Sequence, residues 1–218
     1  MREGRLTPLF WLMIKYKNQF FSKHDKKLLP AIRKAVIGIA GAGGLGSNVA
    51  VSLARVGIGK LIFCDFDCVE ITNLNRQQFF FKQLGDPKVE ALKENLENIN
   101  PFSEYEIHDL KLDPENIRDI YRDVDVMIEA FDLADQKQML IETWLKQFPD
   151  KPIIAASGLA GFGNNELIHT RKVDNLYIIG DEESELLEHV SPMAPRVAIV
   201  ANMQANLALE LILSSKII

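Results

Sequence analysis

Short apolar runs recur along the chain, and segments with helical periodicity lie between them. The runs occupy residues 36–40, 61–64, 124–130 and 152–156. Runs of this length and composition are typical of strands buried on both faces of a parallel sheet. The helical segments occupy residues 47–56, 87–99 and 135–148. Alternation of this kind predicts an α/β domain built around a mostly parallel sheet.

Weaker patterns complete the domain. Residues 105–110 have strand character and residues 114–121 predict a short helix. Two short strands, at 167–170 and 176–179, predict an antiparallel insertion within a longer loop that runs from 159 to 193 and includes an acidic stretch at 181–188. The final helix, at 197–213, is apolar nearly all round, so we expect it to be buried.

The N-terminal part of the chain has a different pattern. Residues 6–29 predict one or two amphipathic helices rich in aromatic side chains, with four candidates for burial: Phe10, Trp11, Phe20 and Phe21. We therefore divide the chain into an N-terminal helical extension, 1–30, and one α/β domain, 31–218. The helices of the extension would pack on this domain or on a partner subunit.

A glycine-rich turn follows the first predicted strand directly, with the sequence Gly41-Ala42-Gly43-Gly44-Leu45-Gly46. The second predicted strand ends in Asp65-Phe66-Asp67, roughly twenty residues after the last glycine of the turn. A nucleotide fold has its ribose-binding acid at this position. In such a turn one glycine allows the tight bend, one lets backbone N–H groups approach a phosphate, and one lets the helix pack against the strand. The prediction is a Rossmann-like sheet flanked by helices, with a nucleotide bound by Gly41, Gly43, Gly44, Gly46, Asp65 and Asp67.

Two cations indicate which nucleotide is bound. Asp86 has the character of a helix N-cap and Pro87 of a first-turn residue, so Lys88 would lie at the positive end of a helix. A cation is disfavoured there by about 0.3–1 kcal/mol unless an anion compensates it. Arg76 and Lys88 together therefore suggest a triphosphate, whereas a redox dinucleotide needs little positive charge beyond the helix dipole.

At this point the chain resembles a known family, the ThiF/MoeB/HesA adenylyltransferases, which are relatives of the ubiquitin-activating enzymes. The resemblance runs from about residue 33 to the C-terminus. Beyond the glycine turn it depends on these motifs: Asp65-Phe66-Asp67, Asn73-Leu74-Asn75-Arg76-Gln77, Gly85-Asp86-Pro87-Lys88, Ile99-Asn100-Pro101, Asp132, Met193-Ala194-Pro195 and Gln204-Ala205. Gly180-Asp181-Glu182 and Ala194-Pro195-Arg196-Val197 are most similar to the short bacterial branch of thiamin biosynthesis.

The resemblance implies a reaction and a set of residues for it. The family joins a carboxylate to the α-phosphate of ATP, forming an acyl-adenylate and pyrophosphate, which requires alignment and charge stabilisation more than a protein nucleophile. Asp65 would bind the ribose, Arg76 and Lys88 the phosphates, and Asp132 a Mg²⁺ ion. Asn73 would orient the phosphates or the carboxylate. Each residue has a structural alternative: a strand-end acid for Asp65, surface ion pairs for Arg76 and Lys88, a helix-capping aspartate for Asp132 and a turn asparagine for Asn73.

Composition excludes some classes of protein. The 218 residues are 47% hydrophobic and carry a formal net charge of -5, which suits one soluble domain and disfavours nonspecific binding to nucleic acid. The early apolar run at 9–14 is too short to span a bilayer and lacks a cleavage site for a secretory signal. We therefore expect a cytoplasmic protein with no membrane partner.

The cysteines limit the chemistry further. The chain has two, Cys64 and Cys68, and none from Phe131 onward, so we expect neither the structural zinc nor the loop cysteine that many relatives carry. Cys64 suits a buried strand and Cys68 is expected to be inert, so any sulfur transfer would use a separate donor. Relatives also carry an N-terminal arginine that reaches the partner's ATP; Asn18 stands in its place here, and Lys15 or Lys17 could replace it.

Several functions remain open. The first is activation of the C-terminal carboxylate of a small ubiquitin-like sulfur carrier protein, with a Gly-Gly tail, for thiamin biosynthesis by a homodimeric enzyme. Adenylation of a peptide or of a modified tRNA is a close neighbour, although the acidic balance disfavours tRNA. An NAD-dependent oxidoreductase would suit the glycine turn alone. A non-catalytic module that binds nucleotide or carrier is the third class.

Overall fold

A computed structural model describes residues 8–184 and 191–217 of the chain. Its centre is a seven-stranded sheet in the order β3-β2-β1-β4-β5-β7-β6. All neighbouring strands are parallel except β6, which runs antiparallel to β7. The strands are β1 Val36–Ala40, β2 Lys60–Asp65, β3 Glu104–Asp109, β4 Val126–Glu129, β5 Ile153–Ala156, β6 His169–Val173 and β7 Leu176–Gly180. The predicted α/β class, with antiparallel strands towards the C-terminus, is confirmed.

Helices cover both faces of the sheet. They are α1 Pro8–Phe20, α2 Leu29–Lys34, α3 Gly44–Val56, α4 Lys88–Ile99, α5 Asn116–Tyr121, α6 Ala134–Gln147 and α7 Ala194–Ile217. Successive side chains of a strand point to opposite faces, and β4 shows the result. Ile128 joins a core with residues of α3, α4 and α7, whereas Met127 joins a second core with Trp144 of α6 and Tyr121 of α5.

Strand order reverses next to β1. The chain moves outward from β1 to β2 and β3, and then returns to pair β4 with the other side of β1. In an open α/β sheet a ligand binds outside the carboxyl ends of the strands at such a reversal. The glycine turn follows β1 and Asp132 follows β4, so the topology brings these two segments to one place.

Helix α3 begins at Gly44, three residues before the predicted start. Gly43 occupies the N-cap position, and its carbonyl accepts a hydrogen bond from the Ser47 amide at 3.0 Å. The helix therefore includes half of the glycine turn. It ends at Val56 and is capped by Gly57, whose φ of 86° is the left-handed conformation typical of a helix C-terminus.

Helix α4 begins at Lys88, but the predicted cap is wrong. Pro87 occupies the N-cap position and Asp86 makes no capping hydrogen bond. The backbone of this segment pairs with the residues after β2 instead: the Val69 amide donates to the Asp86 carbonyl at 2.9 Å, and Cys68 and Pro87 form an isolated bridge. Pro87 accordingly has an extended backbone, with φ of -54° and ψ of 132°.

The composition of helix α7 predicts that it is buried, but one side of the helix is exposed. Val197, Val200 and Ala208 are buried against the core, whereas a row on the opposite side is exposed, comprising Ile199, Asn202, Asn206 and Glu210. By length and composition this helix, over 194–214, could cross a membrane. A core helix passes the same test, and the packing of α7 against α3 and the sheet is that of a core helix.

Two smaller expectations need correction. The strand predicted at 167–170 is β6, which starts only at His169, because Asn165–Leu167 form a turn of 3₁₀ helix. In the N-terminal extension Phe21 is buried and its ring contacts Gly57, while Phe20 is half-buried against Phe102. The side chains of Phe10 and Trp11, and residues 185–188 of the acidic stretch at 181–188, lie outside the described residues.

Candidate nucleotide-binding site

A cavity of about 560 Å³ lies at the carboxyl ends of the strands, where the strand order reverses. Most of the predicted site residues line it: Gly41, Gly43, Gly44, Asp65, Asp67, Arg76, Lys88 and Asp132. The chain as a whole is acidic, yet four cationic and three acidic side chains line this cavity within the described residues. Such a cavity is suited to an anionic ligand.

The glycine turn closes tightly over the end of β1. Gly41 has a φ of +101°, and a Cβ atom there would lie 2.8 Å from the Ala130 carbonyl oxygen. Gly46 lies outside the cavity lining, and a Cβ atom on it would lie 1.8 Å from the Gly41 carbonyl oxygen. Gly46 therefore serves the packing of α3 on the turn, and Gly41 allows the turn to approach the backbone after β4. Gly43 and Gly44 line the cavity without a side chain.

Asp65 joins the end of β2 to the glycine turn. Its Oδ2 accepts a hydrogen bond from the Ala42 amide at 2.6 Å, and its Oδ1 accepts one from the Asp67 amide at 2.9 Å. Burial raises the pKa of the Asp65 carboxyl, although these two hydrogen bonds and the charge of Lys88 oppose the change. The carboxylate thus has a structural task at the cavity wall, in addition to the predicted contact with ribose.

Lys88 reaches the cavity from the first residue of α4. Its side chain is 8% exposed, and its ammonium nitrogen lies 2.6 Å from Oδ2 of Asp67. The Lys88 amide also donates to the Asp67 carbonyl oxygen at 2.8 Å. Asp67 therefore supplies, in this structure, the anion that a lysine at the positive end of a helix requires.

Arg76 lies over the start of α3. Its Nη1 donates to Asn75 Oδ1 at 2.8 Å and to the Thr72 carbonyl oxygen at 3.2 Å. Its Nε lies 3.7 Å from the position that a Cβ atom on Gly44 would take. The guanidinium and the N-terminal end of a helix, both of which favour anions, therefore face the same part of the cavity.

The structure places Asn73 outside the cavity lining. The side chain is 9% exposed, and its Oδ1 accepts a hydrogen bond from the Glu70 amide at 3.0 Å. This bond closes the 3₁₀ turn Ile71–Asn73, which precedes Arg76. The geometry thus supports the alternative of a turn asparagine, and the contact with phosphate or carboxylate remains a prediction.

Asp132 follows β4 and is exposed at the cavity wall. Within residues 8–184 and 191–217, its carboxylate makes no hydrogen bond or ion pair, and no group of three His, Cys, Asp or Glu side chains could hold a metal ion. Mg²⁺ commonly uses one or two carboxylates together with phosphate oxygens. A single free carboxylate fits that arrangement, with the nucleotide completing the coordination.

Two lining residues were missed as site candidates. Lys137, in the first turn of α6, forms an ion pair with the fully buried Glu129 and donates to the Ala156 carbonyl oxygen at 2.9 Å. Lys137 could have been found by the same signal as Lys88, because both are lysines in the first turn of a helix. Gln77 is buried, and its Oε1 has no hydrogen-bond partner among the described residues.

The lysines and cysteines considered for other roles differ in their position relative to the cavity. Lys15 and Lys17 are exposed on α1 and do not line the cavity of this single chain. Cys64 lines the cavity but is only 1% exposed, and burial raises the pKa of its thiol to about 12. Cys68 is exposed. Among the described residues, neither cysteine has a basic side chain as a hydrogen-bond partner.

Comparison with known proteins identifies relatives along most of the chain. The model of the ThiF family matches residues 16–217. The adenylyltransferase and sulfurtransferase uba4 of Emericella nidulans is 34% identical over 129 residues, which are 59% of this chain and 26% of that protein. The tRNA threonylcarbamoyladenosine dehydratase of Bacillus subtilis is 35% identical over 148 residues, which are 64% of this chain and 57% of that protein. The chain thus spans less than two thirds of these relatives.

Among solved structures, the E. coli tRNA N6-threonylcarbamoyladenosine dehydratase TcdA in complex with ATP has a TM-score of 0.80. The match covers 97% of this chain and 98% of that one, at 20% sequence identity. At this identity the likeness shows a shared fold. It extends over nearly the whole of both chains.

Proposed function

This chain belongs to the ThiF family, and from that premise we propose that it is an ATP-dependent adenylyltransferase. The observation that carries the proposal is the convergence of Arg76, Lys88 and Asp132 on one cavity beside the glycine turn. Two cations and the N-terminal end of α3 suit a triphosphate, and a free carboxylate suits its magnesium ion. Binding of ATP by a solved relative with the same fold supports this assignment.

The reaction needs no nucleophile from the protein. A carboxylate oxygen of the acceptor attacks the α-phosphorus of ATP, the bond between that phosphorus and the bridging oxygen breaks, and pyrophosphate leaves with the electron pair. Arg76 and Lys88 would hold the phosphates and stabilise the charge that develops on them. For Lys88 this means exchanging its contact with Asp67 for one with phosphate. Magnesium, held by Asp132 and phosphate oxygens, would supply further charge neutralisation.

The acceptor we propose is the C-terminal carboxylate of a small ubiquitin-like sulfur carrier protein with a Gly-Gly tail, of the kind used in thiamin biosynthesis. Similarity to a relative that is both an adenylyltransferase and a sulfurtransferase supports a sulfur carrier. The motifs around Asp181 and Arg196 support the thiamin branch. Because Cys64 is buried, no cysteine follows Phe131 and Cys68 is expected to be inert, we propose that sulfur comes from a separate donor. We also propose a cytoplasmic homodimer.

A second candidate is favoured by a specific observation. The Bacillus subtilis relative, 35% identical over 64% of this chain, acts by its name on tRNA threonylcarbamoyladenosine. The acceptor would then be a carboxylate on a modified base of tRNA. The same adenylation chemistry serves both acceptors, so the cavity alone does not choose between them.

Exchange of labelled pyrophosphate into ATP tests the proposal. The purified chain is assayed with a small ubiquitin-like carrier that ends in Gly-Gly, and with the same carrier lacking those two residues. Bulk tRNA that carries the threonylcarbamoyl modification, and tRNA that lacks it, form a second matched pair. Exchange that depends on the Gly-Gly tail supports the first candidate, and exchange that depends on the modification supports the second.

Two other results would contradict both candidates. Binding of NAD in preference to ATP, without exchange, would indicate a dinucleotide-binding oxidoreductase. Binding of ATP and carrier without exchange would indicate a non-catalytic module. Calorimetric titration with ATP and with NAD, each in the presence of MgCl₂, separates these two outcomes.

A further inference from the structure

The first turn of α3 is hydrogen-bonded to the segment that carries Arg76. Asn48 is 8% exposed, and its Nδ2 donates both to the Gly44 carbonyl oxygen at 2.7 Å and to the Arg76 carbonyl oxygen at 3.0 Å. Its Oδ1 accepts a hydrogen bond from Gln78 Nε2 at 2.7 Å. One side chain thus joins the glycine turn to the residues on either side of Gln77.

Neighbouring side chains strengthen the same connection. Ser47 Oγ donates to the Gly43 carbonyl oxygen at 2.7 Å and accepts a hydrogen bond from the Gln78 amide at 3.1 Å. From the other side, Asn95 of α4 donates through Nδ2 to the Gln78 carbonyl oxygen at 2.9 Å. The main chain at residues 76–78 is therefore fixed between α3 and α4.

The guanidinium of Arg76 has no such anchor of its own. Within the described residues its hydrogen bonds go to Asn75 and Thr72, which belong to the same segment and move with it. The position of the guanidinium relative to the glycine turn is therefore determined where the main chain of this segment is attached to α3. Asn48 makes that attachment at Arg76 itself.

We infer that Asn48 is a positioning residue for Arg76. It lies outside the cavity lining, but its amide group donates to both the Arg76 carbonyl and the Gly44 carbonyl. The arginine is thereby kept over the start of α3, where the phosphates would bind. The inference rests on the proposed function, because the ligand of Arg76 is taken to be ATP.

A matched control contacts the other end of the same helix: Asn100, which follows α4. Asn100 is fully buried, and its Nδ2 donates at 2.9 Å to the Ala54 carbonyl oxygen near the opposite end of α3. Both asparagines thus tie an α3 carbonyl to another segment, but only Asn48 contacts the segment of Arg76. A purely structural contribution of Asn48 should resemble that of Asn100.

The experiment is a double-mutant cycle on ATP affinity, measured by titration calorimetry with MgCl₂ present. The proteins are the full chain and its Asn48→Ala, Arg76→Ala, double and Asn100→Ala variants, each checked for folding by circular dichroism. We expect Asn48→Ala to raise the Kd about tenfold in the wild-type background and less than about twofold in the Arg76→Ala background. Asn100→Ala should lower Tm while the Kd stays within about twofold.

Two outcomes would overturn the inference alone while ATP binding and the effect of Arg76→Ala remain. One is an unchanged Kd in Asn48→Ala, and the other is an equal loss of affinity in both backgrounds. If the wild-type chain binds no ATP, or if Arg76→Ala binds it normally, the proposed function fails first and the inference with it. Should Asn48→Ala not fold, Asn48→Leu replaces it, because leucine is uncharged and close in volume but removes the donor to Arg76.

Discussion

The ammonium nitrogen of Lys88 lies 2.6 Å from Oδ2 of Asp67, across 21 positions of the chain. The two side chains differ in their surroundings: that of Lys88 is 8% exposed and that of Asp67 is 52% exposed. The lysine is thus fixed at the cavity wall, while the carboxylate has room to turn towards solvent. A phosphate entering the cavity can therefore replace the carboxylate without displacing the lysine.

Replacing Lys88 by methionine tests this arrangement. Methionine preserves most of the buried aliphatic volume but removes the charge, so we expect pyrophosphate exchange to fall by about 100-fold or more. Lys82→Met is the matched control, since Lys82 is exposed, pairs with Glu94 and lies outside the cavity lining. Normal exchange in Lys88→Met, in a protein that is folded by circular dichroism, would contradict a phosphate-binding role.

The two glycines at positions 43 and 46 should respond to alanine in different ways. A Cβ atom on Gly46 would lie 1.8 Å from a backbone carbonyl oxygen, so we expect Gly46→Ala to fold poorly or to lose several kcal/mol of stability. The nearest atom to a Cβ on Gly43 is Gln77 Nε2, at 3.8 Å, so Gly43→Ala should fold. The added methyl lies at the cavity wall, and weaker ATP binding is expected. Thermal unfolding and ATP titration distinguish the two effects.

Several elements of this fold were predictable because their signals are local. The apolar runs of β1, β2, β4 and β5 and the glycine turn depend on neighbouring residues alone. The start of α4 was misassigned because Asp86 is paired through its backbone with Val69, a contact that no local pattern reveals. Helix α7 was predicted to be buried all round, since composition does not show how many sides of a helix the rest of the chain covers.

Part of the site was predictable because a charged residue at the end of a helix can be recognised in the sequence. Lys88 was identified because a cation in the first turn of a helix needs an anion, although the identity of Asp67 as that anion depends on the tertiary fold. For Asn73 the sequence left a ligand contact and a turn asparagine open; its side chain closes a turn, and the ligand contact stays a prediction. Asn48 gave no signal at all, since its contacts with residues 76–78 arise only when α3 packs beside that segment.

Asp181 should stabilise the protein above about pH 4. Burial alone would raise the pKa of its carboxyl, but hydrogen bonds from Ser184 and Glu183 and the charge of Arg196 lower it to about 2. An acid with a lowered pKa in the folded state contributes stability that is lost as pH falls through the interval between the unfolded and folded values. We expect Asp181→Asn to cost about 2 kcal/mol at pH 6, and progressively less between pH 4 and pH 2.

Urea unfolding at several pH values measures this difference. Asp119→Asn is a suitable control, because Asp119 also pairs with an arginine, Arg122, but is exposed. Its effect should be small at every pH. A cost of Asp181→Asn that stays constant from pH 6 to pH 2 would contradict the lowered pKa.

The two cysteines should differ in reactivity. Burial raises the pKa of the Cys64 thiol to about 12, so its thiolate fraction at pH 8 is on the order of 10⁻⁴. Cys68 is exposed. We expect iodoacetamide at pH 8 to modify Cys68 and spare Cys64, as measured by peptide mass spectrometry. Cys68→Ser should retain pyrophosphate exchange, and loss of exchange in that variant would assign the thiol a role in the chemistry.

The buried pair of Glu129 and Lys137 leads to the last prediction. Glu129 is fully buried at the end of β4, where its Oε1 accepts a hydrogen bond from the Phe131 amide at 2.8 Å and its Oε2 pairs with Lys137. Burial raises the pKa of the Glu129 carboxyl, and the lysine opposes this effect. Lys137→Met leaves a buried carboxylate without its cation, which should cost about 3–5 kcal/mol of unfolding free energy at pH 7.

The pH dependence of Lys137→Met has a defined sign. Without the cation the folded pKa of Glu129 rises further above its unfolded value of about 4.3, so stability should fall as pH rises from about 4 towards neutrality. The variant should therefore be closer to wild type at pH 5 than at pH 7 in urea unfolding. Adding Glu129→Gln removes the buried charge, so the double variant should be more stable at pH 7 than Lys137→Met alone. Lys146→Met, at an exposed position of α6, should change stability little, and a similar loss there would show that the ion pair is not the cause.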